Sequence, residues 1–149
     1  GRTEWDRMLD VNLFGGLQMS QMVVPPMIEA GAGSIVFISS VTAQRGGGIF
    51  GGAHYAAAKA GAIGLAKSMA REFGPGGVRV NAVAPGVIDT DITKGQRTYE
   101  ERMGSVKGAP IERLGTAREV AGACIYLISD LSTYTTGSVI DVNGGLHIH

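Results

Sequence analysis

Apolar and polar positions follow two different periods along this chain. Three short runs are apolar at most positions: SIVFIS at 34–39, VRVNAVAPG at 78–86 and SVIDVNGG at 138–145. Strands with apolar residues on both faces are typical of the buried part of a parallel sheet. The pattern therefore predicts three parallel strands.

Between the strands, apolar residues recur at the three- and four-residue spacing of helices. This spacing predicts helices at 3–30, at about 53–73 and at 116–129, with a polar segment at 89–113. Thr3 is the expected N-cap of the first helix, and Pro25 and Pro26 are expected to bend or interrupt it near its end. Thr116 and Glu119 have the spacing of a capping box.

Strands that alternate with helices predict an α/β fold in which helices cover both faces of a parallel sheet. No linker or change in composition divides the chain. Residues 1–149 are therefore expected to form a single domain.

Composition limits the partners. Thirteen basic and thirteen acidic residues leave no net charge, which provides no attraction for nucleic acid or an acidic membrane surface. No apolar run approaches the roughly 18 to 20 residues of a membrane span. Cys124, the single cysteine, lies in the apolar run 120–128 and is expected to be a buried, inert thiol. A small-molecule ligand and a reducing, cytoplasmic compartment are the resulting expectations.

Gly46, Gly48 and Gly51 form a G-x-G-x-x-G pattern. In dinucleotide-binding proteins this pattern begins directly after a strand and opens a helix. Here six residues separate it from Ser39, at the end of a predicted strand. We therefore interpret the glycines as a turn rather than a phosphate-binding loop.

Tyr55 and Lys59 are four residues apart, so on a helix their side chains lie on one face. A phenol with a pKa of about 10 is a poor acid–base group near neutral pH, but a nearby ammonium stabilises its phenolate form. Such a pair can transfer a proton to or from a carbonyl or alcohol oxygen. Two solvated neighbours on an exposed helix are the alternative.

Five segments in order resemble the short-chain dehydrogenase/reductase family over nearly the whole chain: DVNLFG, GSIVFISS, HYAAAKAG, VRVNAVAPGVIDT and TGSVIDVNGG. The resemblance implies a doubly wound parallel sheet of the Rossmann type, of which this chain is the C-terminal, catalytic part. It also implies about 100 further residues upstream, with the glycine-rich cofactor loop and the residue that selects NAD or NADP.

By this resemblance, the active-site residues are Asn12, Ser40, Tyr55 and Lys59. Tyr55 would donate or accept the proton, Lys59 would lower its pKa and bind the nicotinamide ribose, and Ser40 would hydrogen-bond the substrate oxygen. Asn12 would hold a water that connects Lys59 to solvent; a helix-kink residue is the alternative. The spacing from Ser40 to Tyr55 is longer than in many family members and would select Thr42 instead, but Ser40 is preferred because it follows the strand directly.

The resemblance also assigns residues to the cofactor, which is NAD or NADP: Tyr55, Lys59, Pro85, Gly86, Ile88 and Thr90. Pro85 and Gly86 would let the backbone pass close to the nicotinamide. Ile88 would contact the carboxamide, and Thr90 the carboxamide or the pyrophosphate.

No metal is expected. His147 and His149 have a spacing that could bind one, but a frayed terminus or an interface role is the preferred interpretation. His54, beside Tyr55, either lines the substrate mouth or covers the surface.

The implied function is NAD(P)-dependent oxidoreduction between a secondary alcohol and a ketone, with a small alcohol, ketone, sugar or polyol as substrate. Gly31 and Gly76 stand where 3-oxoacyl-[acyl-carrier-protein] reductases, the alternative function, carry basic residues that meet the carrier protein. A non-catalytic binding or oligomerising fragment is the alternative of another class.

Residues 91–115 match the family's variable substrate lid, whose mixed charges are expected to be solvated. Its apolar candidates for contact with substrate are Ile92, Tyr99, Met103, Val106 and Ile111. Family members form dimers or tetramers, so a homodimer or homotetramer is expected.

Overall fold

The computed structural model describes residues 1–47, 51–95 and 97–149. Its helices and strands are, in chain order, α1 (Arg2–Leu9), a π-helical turn (Asp10–Phe14), α2 (Gly15–Glu29), β1 (Gly33–Ile38), α3 (Val41–Arg45), α4 (Ala53–Phe73), β2 (Val78–Pro85), β3 (Ile88–Asp89), α5 (Asp91–Lys94), α6 (Tyr99–Gly104), β4 (Gly115–Thr116), α7 (Ala117–Ile128) and β5 (Val139–Val142). The three apolar runs of the sequence are thus β1, β2 and β5.

These three strands form a parallel sheet with β2 in the centre. In β1, Gly33 lies opposite Val78 of β2, and further along β2, Ala82 lies opposite Val139 of β5. The short strands β3 and β4 pair separately, also in parallel. The predicted parallel arrangement is therefore confirmed.

The side chains of β2 alternate between two layers of helices. Val78, Val80 and Ala82 pack into a core with residues of α2 and α4. Arg79, on the opposite face, donates to the carbonyl of Leu127 in α7 over 2.7 Å. Helices therefore cover both faces of the sheet, as the doubly wound fold requires.

The first helical segment differs from its prediction in two details. Gly1 rather than Thr3 is the N-cap of α1. Pro25 and Pro26 lie inside α2 and do not interrupt it, and Ala30 N–H still donates to the Pro26 carbonyl over 3.0 Å. The prolines remove only two N–H donors, and the packing of α2 against the sheet holds its last turn.

The sequence missed α3, which occupies part of the expected glycine loop. The Ser40 hydroxyl accepts a hydrogen bond from the Thr42 amide over 3.1 Å and so caps the helix. Gly46 ends it with a left-handed φ of 81°, while Gly48 lies outside the described residues. The predicted α4 helix is confirmed, and so is the capping box that begins α7.

Within the described ranges, no helix is long and apolar enough to cross a membrane.

Candidate active site

A cavity of about 620 Å³ lies at the carboxyl ends of β1 and β2, where open α/β sheets bind their ligands. Its walls come from the first helical segment, the start of α4 and the chain that follows β2. Every residue that the sequence assigned to catalysis or cofactor binding lines it: Asn12, Ser40, Tyr55, Lys59, Pro85, Gly86, Ile88 and Thr90.

Tyr55 lies in the first turn of α4, and it lines the cavity together with Ser40. The capping bond from the Thr42 amide fixes the Ser40 hydroxyl in turn. Thr42, only 1% exposed, is buried behind Ser40. Ser40, and not Thr42, therefore lines the cavity together with Tyr55.

Lys59 lies one helical turn after Tyr55. Its ammonium donates to the Ile38 carbonyl over 2.9 Å and is 5.7 Å from the centre of the Tyr55 ring. Burial lowers the pKa of Lys59. Burial also raises the pKa of Tyr55, whereas the Ser40 hydrogen bond lowers it by a smaller amount. The predicted lowering of the Tyr55 pKa by Lys59 is not found in this arrangement: Lys59 is not among the causes of the shift, and burial outweighs the opposing Ser40 hydrogen bond.

Asn12 lies in the middle of the π-helical turn, and its amide donates to the Met8 carbonyl over 3.1 Å. Such turns interrupt regular helices and frequently occur at functional sites. Asn12 therefore marks a helix irregularity and also lines the cavity. Its role in holding a water near Lys59 stays a prediction.

The chain after β2 forms the wall assigned to the cofactor. A Cβ at Gly86 would lie 2.8 Å from the Asn143 Cα, so packing against the chain after β5 itself requires glycine there. Pro85 and Ile88 add apolar surface, and Lys59 supplies an ammonium. This combination of close backbone, apolar wall and cation fits a nicotinamide ring and its ribose hydroxyls.

The lid prediction is correct in part. Ile92 lines the cavity and is 78% exposed. Val106 and Met103 instead belong to a core cluster and do not line the cavity, so their expected contact with substrate is not supported. Arg102, expected to be solvated, is 5% exposed and donates to the Asp89 carboxylate over 2.6 Å. That bond fixes α6 to the chain that lines the cavity.

Ser39 is a cavity residue that the sequence did not identify. It lies between Ile38 and Ser40, and its hydroxyl donates to the main-chain carbonyl of Lys59 over 2.8 Å. The available signal is its place in the sequence, at the end of an apolar run and directly before Ser40.

The histidines contribute little to the cavity. His54 lies 3.2 Å from a Glu4 carboxylate oxygen and packs beside Trp5, which agrees with the surface interpretation. His149 lies 3.0 Å from an Asp141 carboxylate oxygen, so the C-terminal tail packs against β5 rather than fraying. In the part of the chain that the structure describes, no group of three or more His, Cys, Asp or Glu side chains is placed to hold a metal ion.

Two of the matches to known sequences illustrate a similarity that extends over almost the entire chain. The sequence model of the enoyl-(acyl carrier protein) reductase family matches residues 1–147. An uncharacterized short-chain type dehydrogenase/reductase from Sinorhizobium fredii is 59% identical over 146 residues, which are 98% of this chain and 58% of that protein.

Two crystal structures share the fold. A 3-oxoacyl-[acyl-carrier protein] reductase from Brucella melitensis with bound NAD is 40% identical with a TM-score of 0.88, over 100% of this chain and 54% of that one. A protein assigned as an NAD(P)-dependent gluconate 5-dehydrogenase from Beutenbergia cavernae, with NADP at low occupancy, is 34% identical with a TM-score of 0.90, over 98% of this chain and 58% of that one.

The chain thus spans little more than half the length of these proteins. The family motifs occur in order along the chain, and the predicted site residues line one cavity. The sequence matches extend over almost the entire chain. The chain therefore belongs to the short-chain dehydrogenase/reductase family.

Proposed function

We propose that this chain supplies the catalytic residues of an NAD(P)-dependent oxidoreductase that interconverts a secondary alcohol and a ketone. The observation that carries the proposal is the position of Ser40, Tyr55 and Lys59 in one cavity, with the Lys59 ammonium 5.7 Å from the Tyr55 ring centre. The nicotinamide, when bound, supplies or accepts the hydride. Both NAD and NADP stay open as the cofactor.

The protein's own residues handle the proton. In ketone reduction, the Tyr55 phenol donates its proton to the substrate oxygen while Ser40 stabilises the charge that develops there. A phenol with an ordinary pKa of about 10 is already protonated near neutral pH, and burial raises the pKa of Tyr55 further. In alcohol oxidation Tyr55 must accept the proton as phenolate, so this direction becomes faster as the pH rises toward that pKa.

The described cavity walls favour one of the expected substrate classes. Beyond the proton-transferring residues, Met8, Val11, Ile38, Val87 and Ile92 present apolar surface. The several hydroxyls of a sugar or polyol would lose water without gaining partners on such walls. This supports a small alcohol or ketone with an apolar substituent.

Reduction of a 3-oxoacyl group on a carrier protein is the second candidate, supported by the similarity to the Brucella reductase. Gly31 has a φ of +66°, which favours glycine over a basic residue, and a Cβ at Gly76 would lie 3.1 Å from the Ile28 side chain. Neither position therefore offers a cation to an acidic carrier protein, which supports a free substrate. Comparing turnover of a free ketone with that of a carrier-linked 3-oxoacyl group distinguishes the two.

The compartment is part of the same proposal. Cys124 is half-buried rather than fully buried as predicted, and burial raises the pKa of its thiol. A protonated thiol reacts slowly. We therefore retain a reducing, cytoplasmic location.

Substitution of Tyr55 by Phe tests the function in the full-length protein that contains this chain. We expect Tyr55→Phe to lower turnover by about 10²–10⁴-fold, because it removes the acid–base group. Circular dichroism and cofactor binding should change little. Turnover close to that of the unchanged protein would contradict the assignment of Tyr55.

A titration with NADH or NADPH tests the alternative in which the chain is a non-catalytic fragment that only binds or oligomerises. An oxidoreductase quenches or enhances nicotinamide fluorescence in a saturable way. A full-length protein with no saturable signal for NADH or NADPH would favour the non-catalytic alternative.

A further inference from the structure

Three consecutive residues at the carboxyl end of β1 lie beside two residues of α4. The Ile38 carbonyl accepts from the Lys59 ammonium over 2.9 Å. The Ser39 hydroxyl donates to the Lys59 carbonyl over 2.8 Å, and Ser40 lines the cavity together with Tyr55. Lys59 is therefore held at its side-chain end and at its main chain by adjacent residues of one strand.

Ser39 is the rigid member of this group. It is 3% exposed, and its amide donates to the Val83 carbonyl of β2 over 2.8 Å. Its main chain is thus part of the sheet, while its hydroxyl reaches the neighbouring helix. A buried hydroxyl bonded to a main-chain carbonyl fixes that carbonyl without taking part in proton transfer.

We propose that Ser39 is a positioning residue of the active site. Its hydrogen bond fixes the first turns of α4 against the end of β1, so that Tyr55 meets Ser40 and Lys59 meets Ile38. The catalytic consequence rests on the function proposed above. Displacement of a reacting group by about 1 Å can lower a rate on the order of 10²-fold. Small movements of α4, which carries Tyr55 and Lys59, should therefore lower the rate of the proposed reaction.

Ser34 provides a matched control on the same strand. Its hydroxyl donates to the Leu127 carbonyl of α7 over 2.8 Å. The two serines therefore make the same kind of bond over the same length, from one strand to helices on opposite faces. Ser34→Ala should lower stability less than Ser39→Ala, because Arg79 still donates to the Leu127 carbonyl, and only Ser39→Ala should disturb the site.

The direct test is a titration of Tyr55 in the chain itself, followed by ultraviolet difference spectra with Tyr55→Phe as the reference. The Ser40 hydrogen bond lowers the pKa of Tyr55, so weakening that bond in Ser39→Ala should move the titration midpoint to higher pH. Ser34→Ala should leave it unchanged. Lys59 and the Glu4–His54 pair are the other titratable groups near Tyr55, and they are present in both variants. They therefore cannot cause a difference between the two titration midpoints.

Circular dichroism at each pH confirms that the chain stays folded. If Ser39→Ala does not fold, Ser39→Cys replaces it, because a thiol has a similar volume and is only a weak donor. An unchanged midpoint in the folded Ser39 variant, or equal shifts in the Ser39 and Ser34 variants, would overturn the proposal. This titration needs no cofactor, so its result is separate from the success of the proposed function.

Kinetics of the full-length protein give the second test. We expect Ser39→Ala to lower kcat about ten-fold with little change in KM, and Ser39→Thr, which keeps the hydroxyl, to restore most of it. Ser34→Ala should retain the original kcat. Equal losses in Ser39→Ala and Ser34→Ala would show a merely structural role.

Discussion

Gly46 and Gly51 share a backbone requirement but have different neighbours. Their φ angles are 81° and 70°, both in the left-handed region. A Cβ at Gly46 would meet nothing within 4 Å, whereas one at Gly51 would lie 2.7 Å from the Cβ of Tyr55. The interpretation of these glycines as a turn that presents Tyr55 is therefore supported by the contact at Gly51.

Alanine at each position separates backbone strain from contact with the site. Gly46→Ala and Gly51→Ala should each lose about 1–2 kcal/mol of stability, because an L-residue is unfavourable at positive φ. Only Gly51→Ala should displace Tyr55, with a fall in turnover of about ten-fold or more. Denaturant unfolding and steady-state kinetics measure both effects, and equal turnover in the two variants would contradict the argument.

At the level of elements, α6 and α7 begin with the same local motif. Thr98 with Glu101, and Thr116 with Glu119, each form a capping box. Glu119 also accepts two bonds from Arg113, of 2.6 and 3.1 Å. The Arg113 bonds, followed by those from Thr116, lower the pKa of Glu119 to about 2.

This pKa predicts how the stability of α7 depends on pH. Because the pKa is lower in the folded chain than the ordinary 4.5, ionised Glu119 stabilises the fold above pH 4.5, and this contribution is lost as the pH falls toward 2. Glu119→Gln should therefore lower Tm at neutral pH, with a difference from the unchanged protein that disappears near pH 2. A Tm difference that does not change with pH would contradict the assignment of this stability to ionised Glu119.

On the scale of the whole molecule, an apolar groove of about 730 Å³ lies between α2 and α4. Leu17, Val24, Ile28, Leu65 and Phe73 line it. We propose that a second copy of the protein covers this groove, in line with the homo-oligomer expected from the family. Burial of such a surface is a common source of dimer stability.

Leu65→Arg tests this interface by placing a charge in the groove. We expect the variant to shift the full-length protein toward the monomer in light scattering, because an unpaired charge opposes burial. Tyr134→Arg is the control, since Tyr134 is fully exposed and outside the groove. An unchanged mass for Leu65→Arg would show that copies associate elsewhere.

The sequence alone determined the features that short stretches encode. The apolar runs specified β1, β2 and β5, and helical spacing specified α4 with Tyr55 and Lys59 on one face. Family motifs then selected the residues that the structure places in one cavity. Periodicity and helix capping depend on neighbours within a few positions, so they can be predicted without the fold.

The tertiary structure decided the properties that depend on distant residues. Arg102 is buried because the Asp89 carboxylate, on another element, accepts its hydrogen bond. The Ser39 hydroxyl donates to the Lys59 carbonyl across the contact between β1 and α4. Burial likewise reversed the predicted direction of the Tyr55 pKa shift. Burial and partner choice arise when segments far apart in sequence pack together, and no local pattern of residues contains that information.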